Sequence, residues 1–388
     1  MIFDARIQRE AKALRGAGYD VSIVYVEDQE FFRSLPDPEQ AWTDYNKHME
    51  GIKTIRYFLM SRTWRFLPSS VNKMFQAIEL FLKFTYAVIR NRANYYHCHD
   101  LTPAIFAWLG RTIYGAKLVY DAHELEVEAG GASESKKKRK RAYERFTVKN
   151  SALAITVNDY IADVMKENYG KEVKVVGNKP LYVAKQDLRP GLLKKEAGIP
   201  EDAKAVLYVG YMHLARGIDK MVEALRFLPD DIYFLIMGTG RLDEYKKILF
   251  EIADAEGVDK NRIRFVGPFP PSDVVKYLSG ADVSVMLYQA TTSNAIINAP
   301  NKLFQSVMAR VPVVASANKS FPVFLYENPC GTIGETVTET DPEDIARGVM
   351  KVLLPENQNE FKKNADCFAG KVSWEQEAEK LVNAYAKI

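Results

Sequence analysis

Residues 299–316, APNKLFQSVMARVPVVAS, decide how this chain is read. Pro300, Asn301 and Lys302 lead into apolar residues at helical spacing, Leu303, Phe304, Val307 and Met308, and a strand-like run over 311–315 follows. A helix that opens on Pro-Asn-Lys offers free backbone N–H groups and a cation at one point, which is what a phosphate-bearing ligand requires. The segment lies well into the second half of a chain of alternating strand-like and helix-like stretches. A second nucleotide-type half-fold puts its ligand there, so the stretch points to a nucleoside diphosphate compound.

The alternation extends on both sides. Strand-like runs at 205–209, 232–237, 263–266 and 283–287 alternate with helical spacing at 218–227, 241–256 and 271–279. A short strand near 331–333 and helices over 341–354 and 374–386 complete the second half. In the first half, helical spacing over 4–17, 70–90, 102–114, 134–149 and 158–169 alternates with strand-like runs at 21–26, 95–98, 117–120, 152–157 and 173–176. Such alternation implies parallel sheets covered on both faces. The break lies near 180–200, where Pro180, Pro190 and Pro200 interrupt the pattern. One feature is unexpected: a doubly wound domain opens with a strand and a glycine turn, and this chain opens with the helix.

Composition narrows the class. At 388 residues and 47% apolar content, two cores are expected. The net charge of +3 gives no general argument for nucleic acid. Cys98, Cys330 and Cys367 have no paired spacing, which suits a reducing compartment and argues against a disulfide framework or a zinc site. Asp4 and Arg6 follow Met1 with no apolar stretch behind them, and no run of about 18 apolar residues occurs, so a cytoplasmic protein is expected.

Ligands of open parallel sheets bind beyond the carboxyl ends of the strands. Four such ends carry polar groups: residues 97–100, 121–124, 210–216 and 298–302. Arg216 and Lys302 are cations suited to neutralising a diphosphate leaving group without a metal. The blander readings stand beside these. His123 can be a loop histidine, Arg216 a helix-end charge and Asn301 an ordinary helix start. His97 and His99 flank a cysteine but lack further ligands at metal spacing. Gly238-Thr239-Gly240 follows a strand, but Asp243 stands where the third glycine of a dinucleotide turn would be. The run Lys136, Lys137, Lys138, Arg139, Lys140, Arg141 reads as a solvated helix face or as a contact for anionic lipid, and the apolar and basic residues of 66–92 would fit an interfacial helix.

Taken in order, these segments resemble family 4 (group 1) glycosyltransferases of GT-B architecture. The resemblance runs from DARIQREAKALRGAGYDVSIV through HCHD, KLVYDAHE, ALAITVNDYIADVMKENYG, VLYVGYMHLARGIDKMVEAL, RIRFVGPFPPSDVVKYLSGADVSV and PNKLFQSVMARVPVVAS to SWEQEAEKLVNAY. It implies an α/β fold of two Rossmann-like, doubly wound parallel-sheet domains facing each other across a cleft. Residues 1–185 would form the acceptor-side domain, with its first strand absent, and 186–370 the nucleotide-sugar donor domain. Residues 371–388, around Trp374, would form a helix crossing back.

The resemblance also implies site residues. Arg216 matches the basic position that binds donor phosphates, after Gly210 and Tyr211, and Gly238 follows on the next strand. Lys302 and the N–H groups of Leu303 and Phe304 match the helix start that meets the diphosphate, beside Asn301. Gln305 stands at the ribose-binding position and His123 at that of the histidine approaching the donor sugar. Gly267 and Pro268 lie near the base. The chain departs from the family pattern at Gln305 and Ile297, which replace two glutamates, at Tyr211, which replaces an arginine, and at Arg310, which replaces a glycine.

The expected function is metal-independent, retaining transfer of a sugar from a nucleoside diphosphate sugar to an acceptor hydroxyl, with no cofactor. The setting would be surface polysaccharide or glycoconjugate synthesis, with a glycan or lipid-linked acceptor and peripheral contact with the inner face of the membrane. The alternative is a catalytically degenerate, transferase-shaped subunit that binds a partner or glycan. An epimerase on the same architecture is a third reading.

Overall fold

The protein is described from a computed structural model. It describes residues 5–27, 37–49, 51–64, 66–131, 133–267, 269, 273–289 and 301–388. Two compact units result: the chain up to Gly177 together with Glu377–Ile388, and Asn178–Gln376.

The first unit runs α1 (Ala5–Gly16), β1 (Ser22–Glu27), α2 (Pro38–His48), β2 (Lys53–Phe58), α3 (Ser69–Arg90), β3 (Tyr95–His99), α4 (Ala104–Tyr114), β4 (Lys117–Ala122), α5 (Glu134–Asn150), β5 (Leu153–Thr156), α6 (Asp159–Tyr169) and β6 (Lys174–Val175). Local chemistry sets several ends. Asp37 and Asn158 cap α2 and α6 by accepting N–H bonds from Gln40 and Ile161, and Gly115 and Gly170 end α4 and α6 in the left-handed region. All strand pairs are parallel, but among the described residues they form two sheets, β1-β2 and β3-β4-β5-β6. Among the described residues the first element is α1. The helix α2 and the strand β2 were not legible as periodic segments.

The second unit runs α7 (Gly191–Ala197), β7 (Lys204–Tyr211), α8 (Ile218–Ala224), β8 (Ile232–Thr239), α9 (Leu242–Glu256), β9 (Ile263–Phe265), α10 (Val274–Leu278), β10 (Val283–Met286), α11 (Asn301–Met308), β11 (Val313–Ser316), α12 (Phe321–Tyr326), β12 (Gly334–Val337), α13 (Pro342–Leu353) and α14 (Pro355–Ala369). Its six parallel strands are ordered β12-β11-β10-β7-β8-β9, with the first strand, β7, at the centre. β7, β10 and β11 are buried almost throughout, as both-face coverage requires. Each fully buried Leu, Val or Phe there contributes roughly 1.5–3 kcal/mol. The last strand lies at Gly334–Val337 rather than near 331–333, because Gly331 takes a left-handed φ of 97° and turns the chain before pairing begins.

α15 (Trp374–Tyr385) belongs to the first unit from Glu377 onward. There Glu377 Oε2 accepts the Gly177 N–H at 2.7 Å, and the Tyr385 hydroxyl lies 2.9 Å from His97 Nδ1. Cys330 and Cys367 are joined as a disulfide, with Cα atoms 5.8 Å apart. This corrects the expectation of three unpaired thiols. The partners stand 37 residues apart, and packing rather than sequence spacing brings them together.

Candidate active site

The carboxyl end of β7 organises the second unit's site. The apolar run 205–209 forms the central strand and stops at Gly210, whose φ is 136°. A side-chain carbon there would overlap Lys302 Cε and Nζ, so the glycine makes room for the lysine. Lys302 sits in the first turn of α11, whose Leu303, Phe304, Val307 and Met308 are buried in the core. That apolar face fixes the helix and leaves the N–H groups of its first turn without intrahelical partners. Lys302 Nζ donates to the Tyr288 hydroxyl at 3.2 Å.

Arg216 reaches the same tyrosine. His213 Nδ1 accepts the Ala215 N–H at 3.1 Å, and Gly217 ends this short turn with φ 68°. A Cβ on Gly217 would strike the Leu287 carbonyl, so the loop lies hard against the end of β10. The Ala215 carbonyl also accepts the Gln289 N–H at 3.1 Å. The Arg216 guanidinium then lies 4.2 Å from the centre of the Tyr288 ring. Among the described residues, neither Arg216 nor Lys302 forms an ion pair with a carboxylate.

The structure therefore brings together Gly210, Arg216 and Lys302 through Tyr288, a residue the sequence reading passed over. Its position just after the apolar strand 283–287 was the available signal. Tyr211 is 55% exposed, and its ring covers Gly240. Gly238 faces Met212, where a Cβ would meet the sulfur, so its smallness serves packing within the sheet. Gly267, φ 84°, follows edge strand β9 and packs beside Phe269. Asn301 is exposed and Gln305 half-buried on α11. Ile297 and Pro268 lie outside the described residues. Arg310 takes φ 60°, which accounts for the usual glycine at this place. It is held by Asp366 at 2.8 Å and the Val183 carbonyl at 2.7 Å.

In the first unit, His123 joins a buried polar cluster. Arg6 grips Asp121 with two bonds of 2.8 Å and lies 3.0 Å from Glu10 Oε1. His123 Nε2 lies 3.3 Å from Asp121 Oδ2, and its own N–H donates to Asp100 Oδ1 at 3.1 Å. Burial opposes charge on His123, but the hydrogen bond and charge of Asp121, with Asp100, outweigh it and raise its pKa to about 9. Asp121 is desolvated, yet Arg6 and the two histidines hold it well below the usual carboxylate range. Burial, then the Asp121 charge, pushes Glu10 up to about 7. Burial, then His99, holds His97 well below the usual imidazole range.

Arg6 and Glu10 went unnoticed in the sequence, though a charged pair at i, i+4 on an apolar helix face is a signal. Glu10, His97, His99 and Asp121 each offer one ligand atom within 4.8 Å of the others, a set that sequence spacing did not reveal. Arg6 already supplies positive charge to both carboxylates, so the cluster is better matched to shared protons than to a cation. In the basic run, Lys136, Lys138, Arg139 and Arg141 are exposed, whereas Lys137 pairs with Glu128 and Lys140 with Glu126.

A doubly wound sheet whose central strand ends beside two cations that form no ion pair among the described residues defines an α/β protein with a positively charged strand end. The chain belongs to the group 1 glycosyl transferases: the family model described as glycosyl transferases group 1 matches residues 192–385, and the glycosyl transferase 4-like domain matches 4–179. It is thus a glycosyltransferase of GT-B fold. It is 26% identical over 311 residues to a D-inositol 3-phosphate glycosyltransferase of Corynebacterium urealyticum, covering 75% of this chain and 71% of that protein. Its fold is similar to sucrose-phosphate synthase of Thermosynechococcus elongatus, with TM-score 0.72 and 18% identity over 98% of this chain and 92% of the other. It is also similar to Anabaena Alr3699/HepE in complex with UDP-glucose, with TM-score 0.67 and 13% identity over 95% of this chain and all of the other (100%). No helix among the described residues is long and apolar enough to cross a membrane.

Proposed function

We propose that this glycosyltransferase takes its sugar from a nucleoside diphosphate sugar bound at the end of β7, and transfers it to an acceptor hydroxyl with retention and without a metal. The observation that carries the reading is the convergence of Arg216 and Lys302 on Tyr288, beside the open first turn of α11. Two cations without carboxylate partners among the described residues can accept the charge that grows on the leaving diphosphate. N–H groups of Leu303 and Phe304 add donors at the same helix start. Gln305 would bond the ribose as a neutral group. The complex of Alr3699/HepE with UDP-glucose favours a uridine nucleotide. The family resemblance supports retention and gives His123 its role toward the donor sugar.

The test is a thermal-shift series with UDP-, GDP-, ADP- and TDP-sugars. At a ligand concentration a hundred times Kd, stabilisation of about 2.7 kcal/mol is expected, and it disappears in Arg216→Ala and Lys302→Ala. If no nucleotide at millimolar concentration shifts the midpoint, the reading fails.

The acceptor is a glycan or lipid-linked glycoconjugate, reached at an anionic membrane surface. Met74, Ile78, Phe81, Leu82 and Ile89 of α3 are about half exposed or more, and the run from Lys136 to Arg141 presents four exposed cations. Flotation with anionic liposomes tests this. Equal flotation after neutralising the run removes the run from the contact, and no flotation at all removes the membrane.

A further inference from the structure

Tyr288 follows the apolar strand β10 and is buried. The residues on either side pin it to the Arg216 turn. Leu287 lies against Gly217, where a Cβ would strike its carbonyl, and the Gln289 N–H donates to the Ala215 carbonyl at 3.1 Å. The fully buried Phe321 packs beside it, with ring centres 6.0 Å apart. The fold thus holds both the backbone and the ring of this tyrosine.

Two cations use that one side chain in different ways. The Arg216 guanidinium lies 4.2 Å from the ring centre. Lys302 Nζ lies 5.6 Å from the same centre and donates to the hydroxyl oxygen at 3.2 Å. Tyr208 adds a second ring, also 5.6 Å from Nζ. It too is buried, and its own hydroxyl donates to the Tyr211 carbonyl at 2.6 Å. Like charges held near one another repel, and a carboxylate between them would be the common remedy. None pairs with either cation among the described residues, and residues 287–300 contain no Asp or Glu. Two ring faces and one phenol oxygen stand in that role instead. A neutral partner attracts a cation without cancelling its charge, so an arriving anion has no counter-ion to displace. It also orders two long side chains before the ligand binds, which removes part of the cost of binding.

We propose that Tyr288, supported by Tyr208, is a positioning residue of the transfer reaction: it holds Arg216 and Lys302 apart, charged and without counter-ions, so that the pair selects a diphosphate over a monophosphate. This rests on the donor reading above and adds to it the residue that sets the selection. A diphosphate presents two anionic groups and engages both cations, whereas a monophosphate engages one. Loss of the ring therefore costs the diphosphate more. The hydroxyl serves Lys302 alone and the ring serves both cations, so the two parts can be removed separately.

The test reads the ligand-free protein first. With isotope-labelled lysine, the ε-methylene NMR signal of Lys302 is assigned by its absence in Lys302→Arg. The two rings should displace it from the signals of exposed lysines, and Tyr288→Leu should move it back toward them. Titration with UDP and UMP follows, read by NMR so that millimolar binding is measured. Tyr288→Phe should weaken UDP binding about tenfold. That loss should vanish in a Lys302→Ala background and persist in an Arg216→Ala background, which a merely structural role would not produce. Tyr288→Leu should weaken UDP about thirtyfold or more and UMP only about threefold. Should Tyr288→Leu not fold, the coupling of Tyr288→Phe to Lys302 decides alone. The proposal is overturned if the Lys302 signal already sits among those of exposed lysines, if the Tyr288→Phe loss is the same with and without Lys302, or if Tyr288→Leu weakens UDP and UMP equally. If neither nucleotide binds the parent protein, the donor reading falls and this role falls with it. A displaced lysine signal then separates that failure from a failure of the tyrosine to hold the cation.

Discussion

The Lys302 side chain lies over the backbone of Gly210, so tightly that a Cβ at Gly210 would occupy the space of its Cε and Nζ. The two residues stand far apart in sequence, on β7 and α11, yet each limits the other. Gly210→Ala is expected to displace the ammonium from Tyr288 and to strain a φ of 136°. Nucleotide affinity should fall about tenfold or more, in line with roughly 1.5–3 kcal/mol for a hydrogen bond to a charged group. Calorimetric titration with the best nucleotide checks this. Unchanged affinity would separate Lys302 from the ligand.

Arg216→Lys separates charge from shape. Stacking of a planar guanidinium on the Tyr288 ring and forked donation to phosphate are lost while the charge remains. Affinity for the nucleotide diphosphate should weaken, by less than in Arg216→Ala. Equal binding by all three proteins would mean that Arg216 does not meet the phosphates.

The His123 pKa, raised from 6.5 to about 9, makes a stability prediction. The folded state holds this proton more tightly, so the contribution is fully present below about pH 6.5 and is lost as pH rises through about 9. Its size is on the order of 3 kcal/mol. Urea unfolding of the parent and His123→Asn across pH 6 to 10 should show a difference that shrinks with rising pH. A constant difference would remove the charged imidazole from the account.

Arg6→Leu leaves Asp121 buried without its guanidinium and Glu10 without its ion pair. Loss of about 3–5 kcal/mol is expected, measured by denaturant unfolding. Adding Asp121→Asn should recover part of it, because the stranded charge goes with it. A loss below about 1 kcal/mol would contradict the buried pairing.

Thiol titration of the denatured, unreduced protein should find one free thiol, Cys98, if Cys330 and Cys367 are joined. Reduction should cost about 3–4 kcal/mol through the loop the bond closes, seen as a lower melting midpoint. Three titratable thiols in the untreated protein would refute the pairing.

Much of this was legible in the sequence for local reasons. The helix beginning at Asn301, the strand ending at Gly210 and the charged turn at Arg216 are written in neighbouring residues, because periodicity and capping are local. The sequence could not show that Arg6 and Asp121 form a buried, doubly bonded ion pair, that Cys330 meets Cys367, or that Tyr288 joins Arg216 to Lys302. Those are contacts between distant segments, and only packing selects them.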